Sequence, residues 1–262
     1  MTFTAPFHQV DAFADRALAG NPAAVMPLDA WPDDALLQAI AAENNLSETA
    51  FLVPADGAAA DYELRWFTPL SEVVMCGHAT LASGHVMLGG RERVRFATRR
   101  AGVLEVARDA DGYALSLPAW KPAPKPLPEA VAALGVVPVE TLWHPHRYGV
   151  VVLADEAAVR ACTPDFAALA RCGDWLTIVT ARGESTDIVS RAFAPAGGID
   201  EDPVTGSAHA VVVPYWAETI GRTRLTAYQA SARGGHLGCR LEGDRVILSG
   251  RCVTVIEGVF RL

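Results

Sequence analysis

No run of this sequence stays apolar for the roughly 18 residues that a membrane-spanning helix needs, although hydrophobic residues fill 51% of its 262 positions. No membrane span is expected. Cysteine is scarce and odd in number, five residues with no C-x-x-C pair, which argues against a disulfide framework and a zinc site and suits a reducing compartment. Cys162, Cys172, Cys239 and Cys252 are expected as core thiols. The first dozen residues hold no basic cluster leading into an apolar core, and Asp11 comes early, so a cytoplasmic location is the expectation. Basic blocks are missing too. With 22 Lys and Arg against 30 Asp and Glu, the net charge is −8, and nucleic acid is not an expected partner because its affinity comes from clustered cations. There is no G-x-G-x-x-G after a strand, no Walker loop and no H-E-x-x-H, which leaves nucleotide and zinc chemistry without support. His144-Pro145-His146 lacks a third ligand nearby; it reads as a surface pair, and no metal site is expected.

What is present is a repeat. The stretch Glu48 through Pro69 lies without a gap over Asp174 through Pro195, so that Asp61, Arg65, Phe67 and Pro69 recur as Asp187, Arg191, Phe193 and Pro195. The same register sets Cys76 against Asp202, each just before a Gly-containing turn that opens an apolar helical stretch. Two related lobes follow from this. The plainer alternative is a pair of unrelated strand-turn-helix units.

Pro122, Pro124, Pro126 and Pro128 forbid a helix and favour an extended spacer. The boundary is placed there, with one lobe at 1–118, to which 252–262 returns, and the other at 119–251. Short strands are expected through the first lobe, with an amphipathic helix over Asp34 to Glu43 that leaves through Asn44-Asn45. The second lobe repeats the order, with a helix near Asp165 to Ala170 and strands at Leu176 to Thr180 and Asp187 to Phe193. Two helices, Gly77 to Leu88 and Gly206 to Ile220, are apolar or small nearly all the way round. A helix without a polar face must be buried. The expected fold is therefore α+β, two pseudo-symmetric lobes, each a mixed β-roll or barrel wrapped around a central helix, with the helix starts opening into a cleft between them.

The chemistry-bearing groups cluster at those helix starts. In Met75-Cys76-Gly77-His78, the unpaired N–H groups and partial positive charge of a helix start suit a substrate carboxylate. Gly77 permits close approach, and His78 can hydrogen-bond a ligand or relay a proton. Gly198 through His209 repeats the theme, with Asp200, Glu201 and Asp202 ahead of Gly206 and Ser207; simple capping of the helix explains those acids equally well. Glu48 opens an otherwise apolar strand. At a solvated strand end it needs no function, whereas in a closed cleft desolvation would raise its pKa and let it shuttle a proton. Asn21, in an early loop, offers an amide to orient a substrate, and Gln229 to Gly235 offers similar polar groups.

On these residues the sequence resembles the phenazine-biosynthesis PhzF-like isomerase family, a branch of the diaminopimelate-epimerase fold. Four segments carry the likeness: Val10-Asp11-Ala12-Phe13 with Gly20 to Val25; Leu46 to Phe51; Phe67-Thr68-Pro69 with Cys76 to Ala82; and Arg191 to Pro195 with Glu201 to His209. The resemblance implies two lobes with a site between them, no cofactor, and a homodimer. It assigns the acid/base role to Glu48 and assisting roles to His78, Asp202 and Ser207. Asn21, Cys76, Gly77 and Gly206 are expected to contact the substrate, while the fit of the later loop is too loose to give Arg233 a role. The epimerase branch uses two facing cysteines; here Cys76 keeps the first position and Asp202 takes the second.

The expected function is a cofactor-independent isomerase that moves a proton on a small carboxylate-bearing metabolite. An amino-acid epimerase using Cys76, and a non-catalytic metabolite-binding protein on the same scaffold, are the alternatives. Residue types at these positions do not identify the metabolite.

Overall fold

The long apolar stretches are helices with strands folded around each, as the computed structural model, which describes residues 3–110 and 112–262, shows. The chain divides into two units, one holding residues up to Ser116 together with Ser249–Leu262 and the other Leu117–Leu248.

In the first unit β1 (Thr4–Ala12) is antiparallel to β2 (Asn21–Pro27), and α1 (Asp34–Asn44) leads to β3 (Glu48–Pro54). Strand β3 runs parallel to β2 and antiparallel to β4 (Tyr62–Phe67). A short β5 (Glu72–Val73) precedes α2 (Gly77–Met87), after which β6 (Arg93–Thr98) runs parallel to β4. Strands β7 (Val103–Asp109) and β8 (Gly112–Pro118) continue antiparallel.

The second unit begins with β9 (Ala123–Pro124), α3 (Pro128–Leu134), β10 (Glu140–His144), β11 (Tyr148–Val152), α4 (Glu156–Ala161) and α5 (Phe166–Arg171). It continues through β12 (Leu176–Arg182), β13 (Ile188–Ala194), β14 (Ile199–Asp202), α6 (Gly206–Ile220), β15 (Arg224–Gln229), β16 (Gly235–Glu242) and β17 (Arg245–Gly250). The last strand, β18 (Cys252–Arg261), pairs antiparallel with β1 along its whole length. The proline run is more than a spacer, because β9 within it pairs with β10 and the Lys125 N–H donates to Thr141 O. Sequence patterning had shown neither α3 and α4 nor the β10–β11 hairpin.

The two units repeat each other's pairing. Strand β2 to β3 is parallel, β3 to β4 antiparallel, β4 to β6 parallel and β6 to β7 antiparallel. Strands β11, β12, β13, β15 and β16 follow the same order of directions. The Arg65 guanidinium forks the Glu72 carboxylate and lies over the Phe67 ring, and Arg191 treats Glu201 and Phe193 in the same way.

The copies are not gap-free, however, which corrects the register read from sequence. Thr49 pairs with Phe67, while Phe193 pairs with Thr177 and not with Trp175. Leu176, opposite Tyr148, thereby takes the place of Glu48, opposite Ala23. Farther on, Arg65 and Glu72 are 7 residues apart but Arg191 and Glu201 are 10 apart, the extra residues forming a 3-10 turn at Pro195–Gly197. The residues that cap α2 and α6 are Cys76 and Thr205. Cys76 therefore corresponds to Thr205, not to Asp202.

Each central helix is enclosed because it has no face to give to water. Helix α2 buries every residue from Gly77 to Gly84 and packs against β1, β2, β3, β6, β7 and β18. Helix α6 is held by β11, β12, β15 and β16. In α2 two hydroxyls bond back to the turn before them, Thr80 Oγ1 to Cys76 O at 2.6 Å and Ser83 Oγ to Ala79 O at 2.7 Å. Pro214 sits inside α6 and has no N–H for the Ala210 carbonyl; the Trp120 N–H donates to that oxygen instead, at 2.9 Å. A second layer covers the other side of the strands. Helix α1 packs with Met26, Phe51 and Phe67, and α3, α4 and α5 pack with Val179, Val189 and Phe193. Strand β3 is buried from Thr49 to Val53 because both its faces are covered. Among the described residues no helix is long and apolar enough to cross a membrane.

The tightest point of enclosure is Gly84, where a Cβ would come within 2.6 Å of Val106 Cβ on β7. Gly84→Ala is expected to lower stability by about 1–3 kcal/mol, the usual range for overpacking. Adding Val106→Ala should recover part of the loss, and urea unfolding of the three variants measures both effects.

Candidate functional site

In the first unit the catalytic candidates come together at the start of α2. Gly20 has a φ of 65°, and a Cβ there would collide with the Ala12 carbonyl, so the chain makes a tight turn that only glycine fits. That turn delivers Asn21 as the first residue of β2, fully buried rather than in a loop as the sequence suggested. Glu48 is the first residue of the parallel neighbour β3, whose start is tethered by Asn44 Nδ2 donating to Thr49 Oγ1 at 3.0 Å. Helix α2 then places Cys76 as its N-cap and His78 in its first turn.

These groups are in mutual reach. Ser47 Oγ donates to Asn21 Oδ1 at 3.1 Å, and Asn21 Nδ2 donates to His78 Nδ1 at 3.0 Å. Cys76 Sγ lies 3.4 Å from the same ring nitrogen. On the other edge of the ring, Nε2 lies 3.2 Å from Glu48 Oε2, near enough for strong electrostatic contact but aligned too poorly for a hydrogen bond. An amide donor at Nδ1 leaves the proton of the neutral ring on Nε2, facing the carboxylate. The ring is neutral at physiological pH, because burial lowers the His78 pKa to about 3 and the Pro22 carbonyl only partly opposes that shift. Only 12% of the Glu48 side chain is exposed.

One carboxylate oxygen, one thiol and one imidazole nitrogen within 4.8 Å also resemble a metal-ligand set. A single ion is normally reached through one ring nitrogen. Here Cys76 faces Nδ1 and Glu48 faces Nε2, so the arrangement suits proton handling better than coordination.

The second unit presents a separate polar cluster at the start of α6. Asp202 is buried, and its Oδ2 accepts from Thr205 Oγ1 at 2.5 Å. Gln229, the last residue of β15 and fully buried, clamps this turn. Its Nε2 donates to Asp202 O at 2.7 Å and to Thr205 Oγ1 at 3.1 Å, and its Oε1 accepts from the Thr205 N–H at 2.7 Å. Gln229 is thus a buried strand end and not part of the polar loop expected from the sequence; its place at the end of the alternating strand Leu225–Gln229 is the signal that marks it. Thr205, one residue ahead of Gly206, has no spacing or composition signal that sets it apart from the acids preceding it. His209 Nδ1 donates to the Thr205 carbonyl at 2.8 Å, and burial lowers its pKa to about 4 against that bond. Ser207 is half-buried in the first turn of α6, and Arg233 is half-buried between β15 and β16.

Neither α2 nor α6 has an acidic residue in its first turn or a side chain capping it. The first N–H groups of a helix have no acceptor within it and carry the positive end of the dipole. Both starts are thus suited to an anion, at Gly77 and at Gly206.

Comparison with known proteins places the chain. The model of the phenazine biosynthesis-like protein family matches residues 10–258. An uncharacterized isomerase of Pseudomonas aeruginosa is 52% identical over 261 residues, covering 98% of each chain. A crystal structure of a phenazine biosynthesis protein of the PhzF family from Enterococcus faecalis is 44% identical, with a TM-score of 0.91 over 99% of this chain and 100% of that one. A hydroxyproline epimerase from Agrobacterium vitis, 12% identical with a TM-score of 0.64 over 99% of this chain and 93% of that one, shares the fold.

Both buried histidines make stability depend on pH. An unfolded His binds a proton near pH 6.5, and the folded rings resist protonation until about pH 3 for His78 and about 4 for His209. The unfolded state therefore holds more protons in that window. Their contribution is fully present above pH 6.5 and is lost as pH falls through it, at up to about 1.4 kcal/mol per pH unit for each ring. His209→Gln should flatten the fall in Tm between about pH 6.5 and 4, which calorimetry across a pH series would show.

Proposed function

The chain belongs to the phenazine biosynthesis-like (PhzF) family, and from that premise we propose that it is an isomerase that moves a proton between carbons of a small carboxylate-bearing metabolite, with Glu48 as the acid/base. The observation that carries this reading is Glu48 itself, a mostly buried carboxylate whose close neighbour is an imidazole held neutral by burial. A carboxylate in such a setting is a group of the kind that takes and returns a C–H proton. In the proposed step Glu48 removes a proton from one carbon, the C–H electrons form a new C=C bond as the existing one shifts, and Glu48 returns the proton to the far carbon. His78, whose Nε2 edge lies 3.2 Å from the carboxylate, steadies it by close contact without a hydrogen bond, and Asn21 with Ser47 fixes the ring's tautomer. Cys76 bounds the same pocket of groups.

To the second unit the reading gives the task of holding negative charge. The first-turn N–H groups at Gly206 and the Ser207 hydroxyl would bind a carboxylate, as would those at Gly77 in the first unit. Asp202, held by Thr205 and Gln229, would orient a polar substituent. Each of these steps uses side chains and backbone alone, so the reading needs no cofactor. The metabolite remains a class, a small molecule with a carboxylate next to an activated C–H bond.

One observation favours a second reading. Cys76 Sγ lies 3.4 Å from His78 Nδ1, which could accept the thiol proton and leave a thiolate for epimerase chemistry. A two-thiol epimerase needs a partner cysteine, and the matching cap of α6 is Thr205.

Solvent deuterium incorporation separates these readings without knowledge of the product. With a panel of small unsaturated and amino carboxylic acids, Glu48→Gln is expected to retain the fold and ligand binding but lower exchange by about 10²–10⁴-fold. Cys76→Ser should retain most of it. The reverse pattern would establish the thiol reading, and binding without exchange in the wild type would leave a binding protein.

A further inference from the structure

The indole N–H of Trp66 is a buried donor with no acceptor among the described residues. Trp66 is 2% exposed, and a donor so placed is costly to the fold and rare in native proteins. Strand alternation sets it on the same face as Glu48. In β4, Arg65 reaches Asp34 of α1 and Phe67 packs with Leu37 and Ile40 of that helix, so Leu64 and Trp66 turn to the opposite face, that of α2. In β3, Thr49 is bonded by Asn44 of α1 and Phe51 packs in the same cluster, so Glu48 and Ala50 turn the same way as Trp66. Trp66 stands directly opposite Ala50. Glu48 is therefore its diagonal neighbour across the pair, within the reach of an aromatic side chain, and the methyl group of Ala50 puts little between them. On its other side Trp66 pairs with Val73, in the strand that leads into the Cys76 cap of α2.

We propose that the Trp66 N–H donates to the substrate, to a carbonyl oxygen conjugated with the C–H bond that Glu48 attacks, so that the substrate is a carbonyl-bearing carboxylate, an oxo acid. This rests on the acid/base reading of Glu48 and adds a substrate class to it. An indole N–H can only donate, so it takes a carbonyl oxygen and disfavours an ammonium group at that place. The reaction itself creates the demand for such a donor. When Glu48 takes the proton, the C–H pair becomes a C=C bond and the π pair of the C=O bond moves onto oxygen, which then carries the negative charge. When the proton returns to carbon, that pair returns to the C=O bond. A fixed N–H in a dry setting stabilises the charge without reorganising. Had the indole a protein acceptor already, it would exchange one oxygen for another and gain little in the transition state. A ligand without the oxygen leaves the donor unpaired, so this position discriminates between acids of equal size.

Three acids on one carbon skeleton, 2-oxobutanoate, 2-aminobutanoate and butanoate, test the proposal on the full chain. In proton–nitrogen NMR spectra the Trp66 indole signal, assigned through the backbone, is expected to move downfield with 2-oxobutanoate and to stay in place with the other two. Trp66→Phe keeps an aromatic ring and has no N–H. It should bind 2-oxobutanoate about tenfold or more weakly and butanoate as well as the wild type does, and it should slow deuterium entry beside the carbonyl by more than it weakens binding. Circular dichroism melts check its folding, and the wild-type spectra decide the matter if it does not fold. Glu48→Gln separates this donor from the acid/base reading, because it should lose the exchange and keep the Trp66 shift. A wild type that shows the shift without any exchange would uphold the donor and remove the acid/base reading. An indole signal indifferent to 2-oxobutanoate would overturn the proposal, including one already downfield in the free protein, as a trapped water would make it. So would a Trp66→Phe variant that binds 2-oxobutanoate as tightly as the wild type.

Discussion

The constraint on which the rest of the structure depends is that α2 and α6 have no face that water would tolerate. A helix apolar around its full circumference has to be surrounded, and parallel and antiparallel strands folded about it are what surround it. This enclosure fixes where the helices begin. At their first turns the N–H groups without a partner in the helix, Cys76 and His78 in one unit and Thr205 and Ser207 in the other are collected. Burial that holds the fold together also brings His78 into a dry setting and suppresses its charge. Packing and acid/base behaviour thus have a single cause.

Much of this was legible in the sequence, and the places where it was not are instructive. Gly206 to Ile220 matches α6 to the residue, and α2 ends one residue before the stretch that marked it. Periodicity and hydrophobicity are strong signals for a helix with no polar face. The register of the repeat was not legible, because β3 is buried from Thr49 to Val53 and β12 from Thr177 to Ala181. A strand apolar on both faces has no alternation to fix its alignment, so a gap-free match that slid one hairpin looked as good as the true one. Past Phe193 the 3-10 turn at Pro195–Gly197 absorbed the added residues, and a shifted match set Cys76 against Asp202. Only the cap positions, read from backbone geometry, show Thr205 as its counterpart.

The corrected register gives the two copies separate tasks. Leu176 stands where Glu48 stands in the first unit, and Thr205 where Cys76 stands, so the second copy holds neither the carboxylate nor the thiol. What it keeps is the helix start and a clamp of Asp202, Thr205 and Gln229. The Arg–Glu fork over a phenylalanine survives in both. Parts shared by the copies serve architecture, and parts that differ lie at the helix starts. The polar residues hardest to find from sequence, Gln229 and Thr205, act on backbone groups, and such contacts leave no pattern in composition or spacing.

The proline in α6 has a consequence for how the molecule comes to be. Ala210 loses its partner in the helix at Pro214 and receives the Trp120 N–H instead. This helix cannot complete its own hydrogen bonding from local sequence. Its full ladder waits on a segment far back along the chain, and closing so long a loop has an entropic cost that a purely local helix avoids. The central element of the second unit is therefore one that cannot be finished early: its maturation is tied to the arrival of the segment between β8 and β9, about 90 residues back along the chain.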